Sequence, residues 1–160
     1  MARTTRYQAA IVREQHILLI QHQEHADGHT YWLLPGGGME DGETEIQCVQ
    51  REVREETHLE VTVEGLLLDE PGHVGEGVYQ RFKTYLCRPI AGKARPGIEP
   101  EPGAALVYAI TNVGWYNIFD ESAWDALILD DPITSSLLRR IRRALEQVIR
   151  AEEPLIEEPR

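Results

Sequence analysis

Between residues 37 and 59 the chain reads Gly37-Gly38-Met39-Glu40-Asp41-Gly42-Glu43, then seven residues, then Arg51-Glu52-Val53-Arg54-Glu55-Glu56-Thr57-His58-Leu59. Glu43, Glu52, Glu55, Glu56 and Arg51 are the residues that could do chemistry. On a helix advancing 100° per residue, Glu55 falls at about −60° and Glu56 at about +40° from Glu52. Three like charges on one side repel one another and weaken the helix. A divalent cation is the natural counter-charge, and hard carboxylate oxygens suit magnesium or manganese. Such a cation can neutralise a phosphate and acidify a water, so the face points to metal-dependent phosphoryl transfer. For any one of these glutamates an acidic, solvated helix face is the ordinary alternative. That alternative weakens when the glycine loop, the Arg51-Glu52 pair and the Glu55-Glu56 pair all coincide.

The flanking residues must position these groups. Thr44-Glu45-Ile46-Gln47 fits a capping box, so the spacing predicts a helix starting there and ending near Glu56 or Thr57. Ile46, Val49 and Val53 fall at about 120°, 60° and 100°, which predicts an apolar stripe separate from the carboxylates and suited to a sheet. Cys48 puts a small side chain one turn before Glu52, and Arg51 is spaced to brace Glu43 and orient the loop. Gly36-Gly37-Gly38 is followed by no Gly-Lys-Ser or Gly-Lys-Thr, so it reads as a tight turn aiming the helix.

Elsewhere the pattern predicts strands at 7–12, 17–21, 30–34, 61–68 and 78–87, the last alternating like an antiparallel strand. Loops are expected at 24–29, 69–77 and, from three prolines and three glycines, 91–103. Residues 104–110 and 113–118 form two strands or one interrupted strand. Residues 122–129 form a short helix, and 133–150 a long one with Leu137, Ile141, Leu145 and Val148 on one stripe. Its arginines are expected to make a solvated face. The periodicity itself gives alternating strands and helices, hence an α/β chain, with residues 1–150 as a single domain and 151–160 as a flexible acidic C-terminal tail.

Composition agrees with a soluble globule: 160 residues, 42% hydrophobic and 27% charged. A net charge of −11 argues against nucleic-acid backbone binding. It does not exclude a nucleotide, because a bound cation reverses the local potential. The two cysteines form no Cys-x-x-Cys pair, so neither a zinc site nor a disulfide framework is implied. The apolar runs are too short to span a bilayer, and the expected location is the cytoplasm.

Residues Gly37 to Leu59 resemble the signature box of the Nudix hydrolases: glycine, five residues, glutamate, seven residues, Arg-Glu, an aliphatic, any residue, Glu-Glu, any residue, glycine, an aliphatic. Each defining position matches except that His58 stands where the family has glycine. That position ends the helix, where a left-handed backbone favours glycine and sometimes tolerates His. Trp32-Leu33-Leu34-Pro35-Gly36-Gly37 also resembles the family's lead-in.

The resemblance implies a Nudix-type α/β/α sandwich with a mixed sheet and the box as a loop-helix-loop. It implies a Mg2+-dependent (or Mn2+-dependent) hydrolase of the diphosphate linkage in nucleoside di- or triphosphate derivatives, such as a nucleoside triphosphate, an oxidised nucleotide or ADP-ribose. The alternatives are a non-catalytic nucleotide-sensing module and an isoprenoid diphosphate isomerase. Metal ligands would be Glu52, Glu55 and Glu56, with the Gly36 carbonyl added by the resemblance, and Glu52 would help deprotonate water. In relatives a glutamate in a later loop completes the site; here Glu101 is preferred over Glu99, with Glu70 behind them. Trp32 either stacks on a base or belongs to the core, and Trp115-Tyr116 reads as structural. Arg81 and Lys83 either steady a phosphate or form a solvated strand face. His22, His25 and His29 read as solvated loop histidines. The expected partner is a small-molecule nucleotide or nucleoside diphosphate derivative, bound by a monomer or homodimer, with no membrane and no nucleic acid.

Overall fold

The first two strands, β1 (Thr5–Arg13) and β2 (His16–Glu24), make a hairpin that opens almost at once. Only Val12↔Ile17 and Arg13↔His16 pair, around a turn that holds Glu14 at φ 57°. The gap so created admits the lead-in. After β3 (Thr30–Leu33), the two-residue strand β4 (Gly36–Gly37) pairs antiparallel with Tyr7 and Gln8 of β1. Ala9 N donates to Pro35 O at 2.9 Å, fixing the glycine loop against the sheet. These are the elements of a computed structural model that describes residues 4–72, 79–100 and 102–152.

The helix α1 (Glu45–Thr57) follows, then β5 (Glu60–Pro71) and β6 (Arg81–Ala91). A one-turn helix α2 (Pro102–Ala105), the strand β7 (Tyr108–Asn117), a 3₁₀ turn (Glu121–Ala123), the short helix α3 (Ala126–Leu129) and the long helix α4 (Pro132–Glu152) complete the order. The strands form one mixed sheet in the order β3-β2-β1-β6-β5, with β4 beside β1 and β7 beside β2. β6 runs parallel to β1 and antiparallel to β5, so the expectation of antiparallel pairing for that segment holds on one side only.

Alternation along β1 divides the core in two, as a sheet covered on both faces requires. Tyr7, Ala9 and Ile11 join Val49 and Val53 of α1. Ala10 joins Trp32, Leu34, Ile128 and residues of α4 on the other face. Of the long-helix stripe expected, Ile141 and Leu145 are buried, while Leu137 and Val148 lie at its margin; Leu138 is buried in place of Leu137, and Thr134 and Ser135 start the face. Its arginines are not simply solvated. Arg139 and Arg142 both bind Glu121, and Arg140 binds Glu70 at 2.6 Å.

Several boundaries move for tertiary reasons. β5 continues through Asp69–Pro71, which read as loop, because Asp69 to Pro71 pair with Lys83 to Arg81. β6 runs past Cys87 to Ala91, taking up Pro89 opposite Val61 next to a register shift. Residues 104–118 hold a single strand, β7, with Thr111 bulged out where its partners step from Gln21 to His22. The expected helix at 122–129 is split at Trp124. Its indole Nε1 donates to Asn117 O at 2.7 Å while Asp125 starts a new cap by accepting from Leu127 N. Residues 73–78, which include parts of the expected 69–77 loop and Val78 of the 78–87 strand, lie outside the described residues, as do 153–160 of the tail. Among the described residues no helix is long and apolar enough to cross a membrane.

The helix ends follow the sequence closely. Thr44 Oγ1 accepts from Gln47 N and Gln47 Oε1 accepts from Thr44 N, completing the capping box. His58 closes α1 at φ 63°, ψ 13°, the left-handed conformation that favours glycine. Its Nε2 also lies 3.2 Å from Pro96 O. His58→Gly should therefore leave the melting temperature within about 3 °C of the parent. Relief of the strained backbone, about 1 kcal/mol, is offset by the lost Pro96 contact. Thermal denaturation checks this, and a larger fall would mean that the imidazole does more than close the helix.

Candidate active site

The carboxylates and the apolar stripe share one buried arc of α1 rather than forming separate faces. Cys48, Val49, Glu52, Val53, Glu56 and Thr57 are all buried, and Ile46, expected in the stripe, is half exposed at the arc's far end. Glu56 is 1% exposed and Glu52 4%, while the Glu55 side chain stays 27% accessible. The cause is the glycine pair of β4, whose backbone lies directly on the carboxylates. A β-carbon at Gly37 would overlap Glu52 Oε1, and one at Gly36 would overlap Tyr7 O. Gly36 N donates to Glu56 Oε1 at 2.8 Å. The glycines thus serve close approach as well as the turn.

Arg51 is the internal counter-charge. It donates to Glu43 Oε1 at 2.5 Å, Glu52 Oε1 at 3.0 Å, Glu55 Oε2 at 3.1 Å and Gly38 O at 3.0 Å. The bracing of Glu43 expected from spacing is present, and the same guanidinium ties the loop to the helix. One cation does not balance the cluster. Burial raises the proton affinity of Glu52, against the opposing charge and hydrogen bond of Arg51. Burial raises that of Glu56 well above the usual carboxylate range; Arg6 opposes this and Glu52 adds to it. Glu55 is raised too, by burial and, in part, by Glu40 and Glu99. As they stand these side chains are drawn to Arg51 and Gly36, and among the described residues no three His, Cys, Asp or Glu side chains are grouped to hold a metal ion.

The loop expected at 91–103 supports the far end of this arc, a contact that the sequence did not indicate. Arg95 N, Gly97 N and Ile98 N donate to the carbonyls of Thr57, Glu56 and Glu55 at 3.1, 2.8 and 3.1 Å. These bonds satisfy the last carbonyls of α1, which a helix end leaves without partners. The same loop carries Glu99 toward the cluster, where Tyr108 Oη donates to its Oε2 at 3.0 Å. Glu101, the preferred loop carboxylate, lies outside the described residues. Glu70 is held by Arg140 instead.

The remaining candidates are placed as follows. Trp32 is 3% exposed, belongs to the core on the α4 face and meets Tyr116 in a T-shaped contact, 5.3 Å between ring centres. Its Nε1 has no hydrogen-bond partner among the described residues. Arg81 binds Asp69, and Lys83 binds Glu45 at 2.8 Å, so neither is a free strand-face cation. His22 corrects the reading of three solvated loop histidines: β2 runs on to Glu24, which places His22 in the sheet. It is stacked on Tyr108 at 4.0 Å, and burial, with the charge of Arg6, pushes its imidazole down to about 3. His25 and His29 remain exposed.

On the α4 face of the sheet lies a cleft of about 520 Å³ lined mainly by apolar side chains, with Arg6, Tyr31, Trp32, Leu34, Phe82 and Leu137 among them; Arg6 is the lining residue whose charge also acts on Glu52 and Glu56. Sequence reasoning missed Arg6 and Tyr108. Neither belongs to a spaced motif, and only strand pairing brings them here.

Comparison with known proteins agrees with this arrangement. Residues 3–115 match the NUDIX domain family. The NAD-capped RNA hydrolase NudC of Vibrio vulnificus is 51% identical over 53 residues, covering 33% of this chain and 20% of that protein. The human 8-oxo-dGDP phosphatase NUDT18 is 36% identical over 85 residues, covering 52% of this chain and 25% of that protein. The chain thus spans about a fifth to a quarter of the length of these relatives. An ADP-ribose pyrophosphatase structure from Streptococcus suis superposes with a TM-score of 0.62 at 24% identity, covering 96% of each chain, which shows the shared fold. With the match running over most of the chain, from β1 into β7, and the glycine loop lying on the buried carboxylates of α1, the chain belongs to the NUDIX domain family.

Proposed function

We propose that this chain is a divalent-cation-dependent hydrolase of the diphosphate linkage in nucleoside di- or triphosphate derivatives, acting in the cytoplasm. The observation that carries the reading is the pair Glu52–Glu56, buried in one arc of α1 beside the partly exposed Glu55 and left short of positive charge by Arg51 alone. Carboxylates kept in that state suit Mg2+ or Mn2+ by donor chemistry. Glu52, Glu55, Glu56 and the Gly36 carbonyl would hold the cation. When bound, it supplies charge neutralisation at the diphosphate and a lowered pKa of water. Glu52 accepts the proton of the attacking water, Arg51 keeps the carboxylates oriented, and Glu99 or Glu101 completes the acidic surround. The apolar cleft takes the organic part of the substrate and excludes water from it.

The names of the two curated relatives, which refer to NAD-capped RNA and 8-oxo-dGDP, support a nucleotide substrate. The isomerase alternative needs a reactive cysteine, and both cysteines are buried. Incubation with a panel of nucleoside triphosphates, oxidised nucleotides, ADP-ribose, dinucleoside polyphosphates and capped RNA, with products identified by mass, tests the reading. Activity should vanish in chelator and return with Mg2+ or Mn2+, and label from ¹⁸O-water should end in a phosphate product. Full activity in chelator, or label only in a released sugar or base, would exclude it.

A further inference from the structure

Arg6 is a half-buried guanidinium that the box motif does not contain. It lies on β1 at the seam between the apolar cleft, which it lines, and the carboxylate arc, where its charge acts on both Glu52 and Glu56. Neutral acceptors orient it. Nη2 donates to Leu34 O at 2.8 Å and Nε to Gln8 Oε1 at 3.4 Å, and Gln8 is fixed in turn by donating to Thr84 Oγ1 at 2.9 Å. Two of its five N–H donors are used in this way. Among the described residues it has no carboxylate within ion-pair distance, whereas Arg51, Lys83, Arg139, Arg140 and Arg142 each have one. The planar fork of Arg6, with three N–H donors left over among the described residues, matches a phosphate.

We propose that Arg6 binds the substrate phosphate nearest the organic moiety, joining the cleft to the carboxylate arc. The inference rests on the diphosphate reading above and adds to it a binding residue outside the box. The competing account is a fixed counter-charge for Glu52 and Glu56 that never touches substrate.

Calorimetric titration of AMP, GMP, CMP and UMP in EDTA separates the two, because it needs neither metal nor turnover. Arg6→Gln should weaken the best-bound nucleotide roughly ten- to a hundredfold, the range for charge-assisted hydrogen bonds. Arg6→Lys, which keeps charge but not the fork, should lose about fivefold; it carries the test if Arg6→Gln fails to fold. In turnover the loss should fall on KM rather than kcat. Unchanged nucleotide affinity in the variants would overturn the proposal, as would a wild-type protein that binds none of the four. So would a change confined to Mn2+ affinity, the signature of a pure counter-charge. Hydrolysis that survives without dependence on Arg6 would sink this inference alone. Nucleotide binding that depends on Arg6, with no hydrolysis in the panel, would sink only the proposed activity.

Discussion

Glu56→Gln should lower turnover by roughly 10²-fold or more and at the same time raise the melting temperature of the metal-free protein. The two effects have one cause. Glu56 is 1% exposed, with Gly36 N donating to it and Glu52 nearby in the same arc. Glutamine keeps an acceptor for Gly36 while removing a charge that is costly to bury. Because burial raises its proton affinity, the folded protein holds the Glu56 proton to a higher pH than the unfolded chain, whose carboxyl titrates near 4.5. Below that value the group favours folding. As pH rises past it, the unfolded chain ionises first and the contribution is lost. The gap between variant and parent should therefore be small at pH 4 and grow towards pH 7.5, reaching roughly 2–4 °C or more, the shift that about 1 kcal/mol gives in a chain of this size. Saturating Mg2+ or Mn2+ should reverse the order by stabilising the parent alone. Differential scanning calorimetry in EDTA and in metal reads all of this. A variant less stable than the parent in EDTA at pH 7.5 would show that the buried carboxylate is already compensated.

Gly97→Ala should be among the most damaging substitutions outside the box. A β-carbon there would overlap the Glu55 carbonyl and crowd Glu56. The loop would have to leave the end of α1, surrendering the bonds from Arg95, Gly97 and Ile98. Each of the three bonds contributes about 1 kcal/mol, so a loss of about 3 kcal/mol is expected once the loop has moved, or roughly 6–12 °C in melting temperature. Turnover should fall roughly tenfold or more, since the same bonds set the backbone of Glu55 and Glu56 and the approach of Glu99. Gly103→Ala, where an added β-carbon meets nothing within 4 Å, is the control and should change neither. A Gly97→Ala protein with parental melting temperature would mean that the loop does not brace the helix.

What the sequence could specify was what depends on local spacing. Thr44 and Gln47 start the helix, His58 ends it in a left-handed turn, and Arg51 reaches Glu43, all because these groups lie within two or three helical turns of one another. The α/β alternation was legible for the same reason. Burial of Glu52 and Glu56 was not. A helical wheel orders residues by angle but does not say what lies on each angle, and here the covering surface is a glycine strand slotted into an opened hairpin. Nor could spacing place His22 in the sheet, since its strand length depends on β3 and β7 as partners. Arg6, Gly97, Glu99 and Tyr108 meet the box only through contacts between residues far apart in the chain. Those contacts are decided by strand pairing and by the unsatisfied carbonyls at the end of α1, neither of which leaves a periodic trace in the sequence.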